Sequence, residues 1–123
     1  MDKKKRILVI EDNENNMYLI RFILEKNGYE VIEARKGLTG VKLAIKEKPD
    51  LVIMDIQLPD IDGLEATRRI RSLESEGHIK IVAVTSYAMT GDKEKALSAG
   101  CDGYIEKPIN PDTFITEIEN LLC

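Results

Sequence analysis

Leu51-Val52-Ile53-Met54-Asp55 is the stretch whose reading decides the fold: four apolar residues run directly into a carboxylate. Pro49-Asp50 stands before it and Pro59-Asp60 just after it, so the run is short and bounded by turn-forming residues. A brief, unbroken apolar run reads as a strand covered on both faces, which belongs in the middle of a parallel sheet. Asp55 then sits at the carboxyl end of that strand, where open α/β sheets hold their ligands. Taken alone, an Asp at this place is better read as the opening of a turn. Two other runs shift the balance. Ile7-Leu8-Val9-Ile10 ends in Glu11 and Asp12, and Ile81-Val82-Ala83-Val84 ends in Thr85 and Ser86.

Outward from these runs, strand-like segments alternate with helical patterns, the signature of βαβ units. The first strand is expected at about 6–11 and a helix at about 14–27, stopped by Asn27-Gly28. Met17, Ile20, Ile23 and Leu24 give that helix its core face, with Tyr18, Leu19 and Phe22 expected to widen it. A second strand, 29–34, carries Glu30 and Glu33, and the following helix places Leu38, Val41, Ala44 and Ile45 on one side. After Asp55, a loop from Ile56 to Asp62 leads through Gly63 into a helix bearing Leu64, Thr67, Ile70 and Leu73. A fourth strand is expected at 79–85 and a fourth helix at 92–99, poor in apolar residues and so weakly held. A short strand at 103–106 and a well-patterned last helix follow, with Asn110 as cap and Pro111 in its first turn.

The first, third and fourth strands are the most apolar; the second and fifth carry charge and suit the edges. The fold expected is therefore α/β: a doubly wound, five-stranded parallel sheet of order 2-1-3-4-5, flavodoxin-like, with five helices. In that order the sheet reverses between the first and third strands, and Asp12 and Asp55 flank the crevice. Length agrees, since 123 residues suit one domain, 1–123, with no output domain attached.

Composition excludes several classes. A formal net charge of −4 argues against nucleic acid as the main partner, and Lys3-Lys4-Lys5-Arg6 reads as a solvated lead-in. There is no apolar run of membrane-spanning length and no signal peptide, so a cytoplasmic protein without membrane contact is expected. Cys101 and Cys123 lack metal or redox spacing, and His78 is the single histidine, which leaves no zinc set.

Glu11, Asp12 and Asp55 should meet at one end of the sheet. Carboxylates held close repel, and at least one pKa should rise unless a cation is present. An oxygen-rich set of this kind suits Mg²⁺, which takes few protein ligands and keeps its waters. Thr85 and Lys107, at the carboxyl ends of the fourth and fifth strands, add a hydroxyl donor and an ammonium, suiting an anion with spread charge such as a phosphoryl group. Singly, Lys107 is a surface lysine and Thr85 a β-branched strand residue; only joint placement promotes them.

With Glu11-Asp12, Asp55 followed by Pro59 and Asp62-Gly63, Thr85, and Lys107-Pro108 in order, the chain resembles the receiver domains of bacterial two-component response regulators from Arg6 to Leu122. Receivers are themselves a standard example of the 2-1-3-4-5 order, so that order is not independent support. The resemblance implies that Asp55 accepts a phosphoryl group from a sensor histidine kinase or histidine phosphotransfer protein. It implies Mg²⁺, with Mn²⁺ as substitute, held by Asp12, Asp55 and the backbone carbonyl of Gln57, with Glu11 in support. Lys107 would pair with Asp55 and then with a phosphoryl oxygen; Thr85 and Tyr104 would form the switch; a cis bond before Pro108 would aim the lysine. Gln57 and Tyr87 would tune loss of the phosphoryl group. Ser86 departs from the frequent alanine, and Tyr87 is bulkier than many residues there. A downstream protein would bind the face of the fourth helix, fifth strand and fifth helix, and no catalytic turnover is implied.

Two other classes place similar residues. A haloacid-dehalogenase-like hydrolase also has a strand-ending Asp, but it carries a second acid two residues later, where this chain has Gln57. A flavodoxin-like cofactor binder would want a phosphate-cradling loop after the first strand, where this chain has Glu11-Asp12-Asn13-Glu14.

Overall fold

Alternating strand and helix organise the whole chain. A computed structural model describes residues 4–75, 77–86 and 91–122. The elements are β1 (Arg6–Ile10), α1 (Glu14–Lys26), β2 (Glu30–Ala34), α2 (Gly37–Glu47), β3 (Leu51–Asp55), α3 (Gly63–Leu73), β4 (Lys80–Thr85), α4 (Asp92–Ala99), β5 (Gly103–Glu106) and α5 (Pro111–Leu122). The strands pair in parallel in the order β2-β1-β3-β4-β5, as the apolarity of the runs requires. Boundaries differ from the sequence reading by a residue at the ends of β1, α1, β2 and β4, where elements fray.

Side-chain alternation along each strand divides the core into two layers. Ile7 and Val9, Leu51 and Ile53, Val82 and Val84 and Ile105 point toward the buried faces of α1 and α5. Leu8 and Ile10, Val52 and Met54, Ile81 and Ala83 point toward α2, α3 and α4. All five residues of β3 are buried, so Asp55 enters the interior as the last residue of the central strand.

Several apolar residues assigned to core faces lie outside them. Tyr18 and Phe22 are 66% and 53% exposed and stack on each other on the outer flank of α1. Leu38, Leu73 and Leu97 are also largely exposed. Helical periodicity identifies a stripe, but the width of the covered stripe is set by the neighbouring elements. As expected, α4 is thinly packed: Ala96 and Ala99 are its buried residues. Its carboxyl end is held by Arg71, whose guanidinium donates to the Gly100 carbonyl at 2.8 and 3.0 Å and reaches Asp102 at 3.0 Å.

Two contacts fix the loop after β3. A Cβ on Gly63 would stand 2.3 Å from the Asp55 carbonyl oxygen, so only glycine lets α3 start against the strand end. Asp60 reaches across to α2, whose own preceding residue Lys36 offers no side-chain cap, and accepts from the N–H groups of Gly37 (2.8 Å) and Leu38 (2.9 Å). Desolvation works against the charge of Asp60, but the N–H groups of Leu38, Gly37, Ile61 and Asp60 itself hold its carboxyl down at about 2. Asp60→Ala should therefore lower stability by about 1 kcal/mol, the usual worth of a lost helix cap. The urea midpoint should fall at unchanged slope. The deficit should shrink as pH drops from about 4 toward 2, where the wild-type carboxylate takes up its proton.

Candidate functional site

The site lies at the carboxyl ends of β1, β3, β4 and β5, and backbone pairing sets its registers. Ile10 pairs with Met54, so Glu11 and Asp55 come next, side by side. The sheet ladder carries on past the strand ends: Ile56 N–H donates to the Val84 carbonyl at 3.0 Å, and Lys107 N–H to the Thr85 carbonyl at 2.8 Å. The Lys107–Pro108 peptide bond is cis.

Glu11 and Asp55 are 1% and 5% exposed, buried carboxylates that need compensation. Lys107 brings the ammonium. Its Nζ stands 2.7 Å from Glu11 Oε1 and 3.7 Å from Asp55 Oδ1, so in this state its closer partner is Glu11, where Asp55 was expected. Asn13 N–H donates to the other Glu11 oxygen at 3.1 Å, and Gln57 N–H donates to Asp55 at 3.2 Å. Glu11, Asp12 and Asp55 each offer a carboxylate oxygen within 4.8 Å of the others, with Asp12 facing solvent. Fully ionised, three carboxylates against one ammonium leave two negative charges uncompensated. Burial and the neighbouring Glu11 charge raise the Asp55 carboxyl to about 7, outweighing the pull of Lys107 and the Gln57 N–H. That donor set, all oxygen and short of positive charge, fits Mg²⁺.

Thr85 is buried at the end of β4 and paired with Glu106. By alternation it shares the sheet face of Ile81 and Ala83, the side α4 covers. Tyr104, opposite Ala83, packs on the same layer, and its hydroxyl is buried without a hydrogen-bond partner among the described residues. Burial, then Asp92 and Glu106, push that phenol up. Gln57 has an exposed side chain beside Asp55, while Tyr87 lies outside the described residues.

Two supporting contacts were not anticipated from sequence. The Asn13 N–H that orients Glu11 carries no residue-type signal, because any non-proline backbone could supply it. Asp60 capping α2 joins residues 22 and 23 apart, with no local pattern to announce it.

Comparison with known proteins agrees with this arrangement. Residues 7–119 match the response regulator receiver domain family. The polar-differentiation response regulator DivK of Brucella ovis is 46% identical over 118 residues, covering 96% of each chain. The receiver domain of sensor histidine kinase PA1611 from Pseudomonas aeruginosa, solved with a magnesium ion coordinated in the active-site cleft, is similar in fold at a TM-score of 0.89. It is 33% identical, with 98% of each chain covered. The receiver domain of Ssk1 from Saccharomyces cerevisiae, solved with the histidine phosphotransfer protein Ypd1, superimposes at a TM-score of 0.90. Its identity is 30%, over 100% of this chain and 92% of that one.

The raised Asp55 carboxyl has a measurable consequence. Between about pH 4 and 7 the folded protein binds more protons here than the unfolded chain, so this group's contribution makes stability fall as pH rises through that window. In chelator, Asp55→Asn should be more stable than wild type at pH 8, and the gap should close toward pH 4. Urea titrations across that range read the effect, and added Mg²⁺ should shrink it.

Proposed function

Because this chain belongs to the response regulator receiver family, we propose that Asp55 is its phosphorylation site and that the protein signals through the phosphorylated state. The observation that carries the reading is a buried carboxylate at the end of the central strand, 3.7 Å from the Lys107 ammonium and grouped with two further acids. The donor is a sensor histidine kinase or a histidine phosphotransfer protein, a reading supported by the complex of the similar Ssk1 receiver with Ypd1. An Asp55 oxygen attacks phosphorus, the bond from phosphorus to the donor imidazole nitrogen breaks, and the imidazole keeps the electron pair.

The residues of this chain divide the work. Asp12, Asp55 and the Gln57 carbonyl would hold Mg²⁺ with Glu11 in support, and the ion would supply positive charge to offset the carboxylates and the phosphoryl group. Mn²⁺ can take its place. Lys107 turns from Glu11 toward a phosphoryl oxygen, which leaves Glu11 free to support the ion. Thr85 donates its hydroxyl to the phosphoryl group, and the shift is passed to Tyr104 and α4 along the sheet face they share. Tyr104 has a hydroxyl with no partner to lose among the described residues, and α4 buries only small side chains, Ala96 and Ala99, so both can take a second position at little expense.

Output is through a downstream protein bound at α4, β5 and α5. Gln57, and Tyr87 by its position in sequence, flank the approach of hydrolytic water. The chain acts as a phosphoacceptor without turnover on free substrates, and it acts in the cytoplasm; no helix among the described residues is long and apolar enough to cross a membrane.

Incubation with acetyl phosphate and Mg²⁺ followed by intact mass measurement tests the core of this reading. One phosphoryl addition is expected, lost in Asp55→Asn and in chelator. Failure to label with both acetyl phosphate and a histidine kinase would overturn it, and multiple turnover on small phosphomonoesters would favour a hydrolase. In the same assay, Gln57→Ala and Tyr87→Ala should shorten the phosphoaspartate half-life.

A further inference from the structure

The groove between α2 and α3 lies on the opposite face of the sheet from α1 and α5, and no step in the phosphoryl chemistry uses it. It encloses about 350 Å³ and is floored by Leu38, Val41, Ile45 and Leu73. Leu38 and Leu73 are 47% and 56% exposed. Scattered exposed leucines are ordinary; these two belong to one continuous apolar strip. On α2 the lining runs from Leu38 to Lys46, about 12 Å or just over two turns, and α3 adds Arg69 and Leu73.

Its rim is cationic. Lys42, Lys46 and Arg69 line the groove. The single acid of α2, Glu47, is engaged by Arg6 at 2.5 Å, and the single acid of α3, Glu65, is spanned by Arg69 at 3.0 Å and Arg68 at 3.6 Å. Lys42 and Lys46 have no carboxylate partner among the described residues. A chain of net charge −4 has thus concentrated unpaired positive charge around an apolar trough.

We propose that this groove docks an acidic amphipathic helix supplied by a partner protein. About two turns of groove accept apolar anchors at i, i+3, i+4 and i+7, and carboxylates flanking those anchors would meet the lysines. A concave apolar floor fits a helix better than a flat bilayer, and Leu38, Val41, Ile45 and Leu73 offer no hydrogen-bonding group to a base edge. The inference stands apart from the phosphoryl reading, since it uses none of the same side chains.

The test titrates isotope-labelled full chain with a synthetic helical peptide of about 14 residues, carrying Leu at those four anchor spacings and Glu on both flanks. A matched peptide with Lys in place of Glu serves as the comparison. Saturable NMR shifts are expected at Leu38, Val41, Ile45 and Leu73 with the acidic peptide. The Kd should rise at least about tenfold in Lys42→Glu/Lys46→Glu and in Leu38→Ser, all exposed positions that the fold tolerates. Absence of saturable binding up to about 1 mM would overturn the proposal. So would equal binding of the Lys peptide, shifts that map elsewhere, or affinity unchanged in the variants. Anionic phosphatidylglycerol vesicles bound through the same residues, or groove-dependent self-association in sedimentation, would replace the partner helix with a membrane or a second copy and equally overturn it.

Discussion

Glu11 and Asp55 are carboxylates held side by side in the interior, and the Lys107 ammonium, 2.7 Å from one and 3.7 Å from the other, is what makes their joint burial tolerable. Removing two charges from water is expensive unless they are paired, and here one cation serves two acids, with a third acid at the rim. The balance leaves the Asp55 carboxyl raised to about 7. Such a site gains from any divalent cation that enters it. Charge deficit, rather than any one ligand, is the property that links this fold to metal-dependent chemistry.

The sheet itself separates the acids and Lys107 from Thr85 and Tyr104. Glu11, Asp55 and Lys107 follow the alternation of Ile7 and Val9, Leu51 and Ile53, and Ile105. Thr85 and Tyr104 follow the other face, under α4. If Asp55 is phosphorylated as proposed, the change has to cross from one side of β4 to the other to reach α4, and Thr85 stands at that crossing. Ala96 and Ala99 are the buried residues of α4, while α2 and α3 are pinned to the loop after β3 by Asp60 and Gly63. The sheet face that carries Thr85 is therefore covered by two firmly tied helices and one thinly packed one.

Much of this was legible from residue order. The apolar runs ending in Glu11-Asp12, Asp55 and Thr85 placed the strands, and differences in their polarity placed the edges, because a strand buried on both faces cannot carry charge. The site acids followed, since parallel strands bring their carboxyl ends together. Harder to read were Tyr18, Phe22, Leu38 and Leu73. Each sits at or beside helical core spacing, yet their exposure depends on how far a neighbouring helix extends over them. Asp60 capping α2 was out of reach for a related reason: a turn acid looks the same whether it caps its own helix or another.

By itself the sequence determined the alternation of strand and helix, the parallel sheet and the identity of the clustered acids, because periodicity and polarity are local properties that the backbone must obey. Tertiary structure alone decided that Lys107 rests nearer Glu11 than Asp55, that the Tyr104 hydroxyl is buried with no partner among the described residues, and that a basic-rimmed groove opens between α2 and α3. Those depend on distances between residues far apart in the chain, and such distances are set by packing, to which no single stretch of sequence has access.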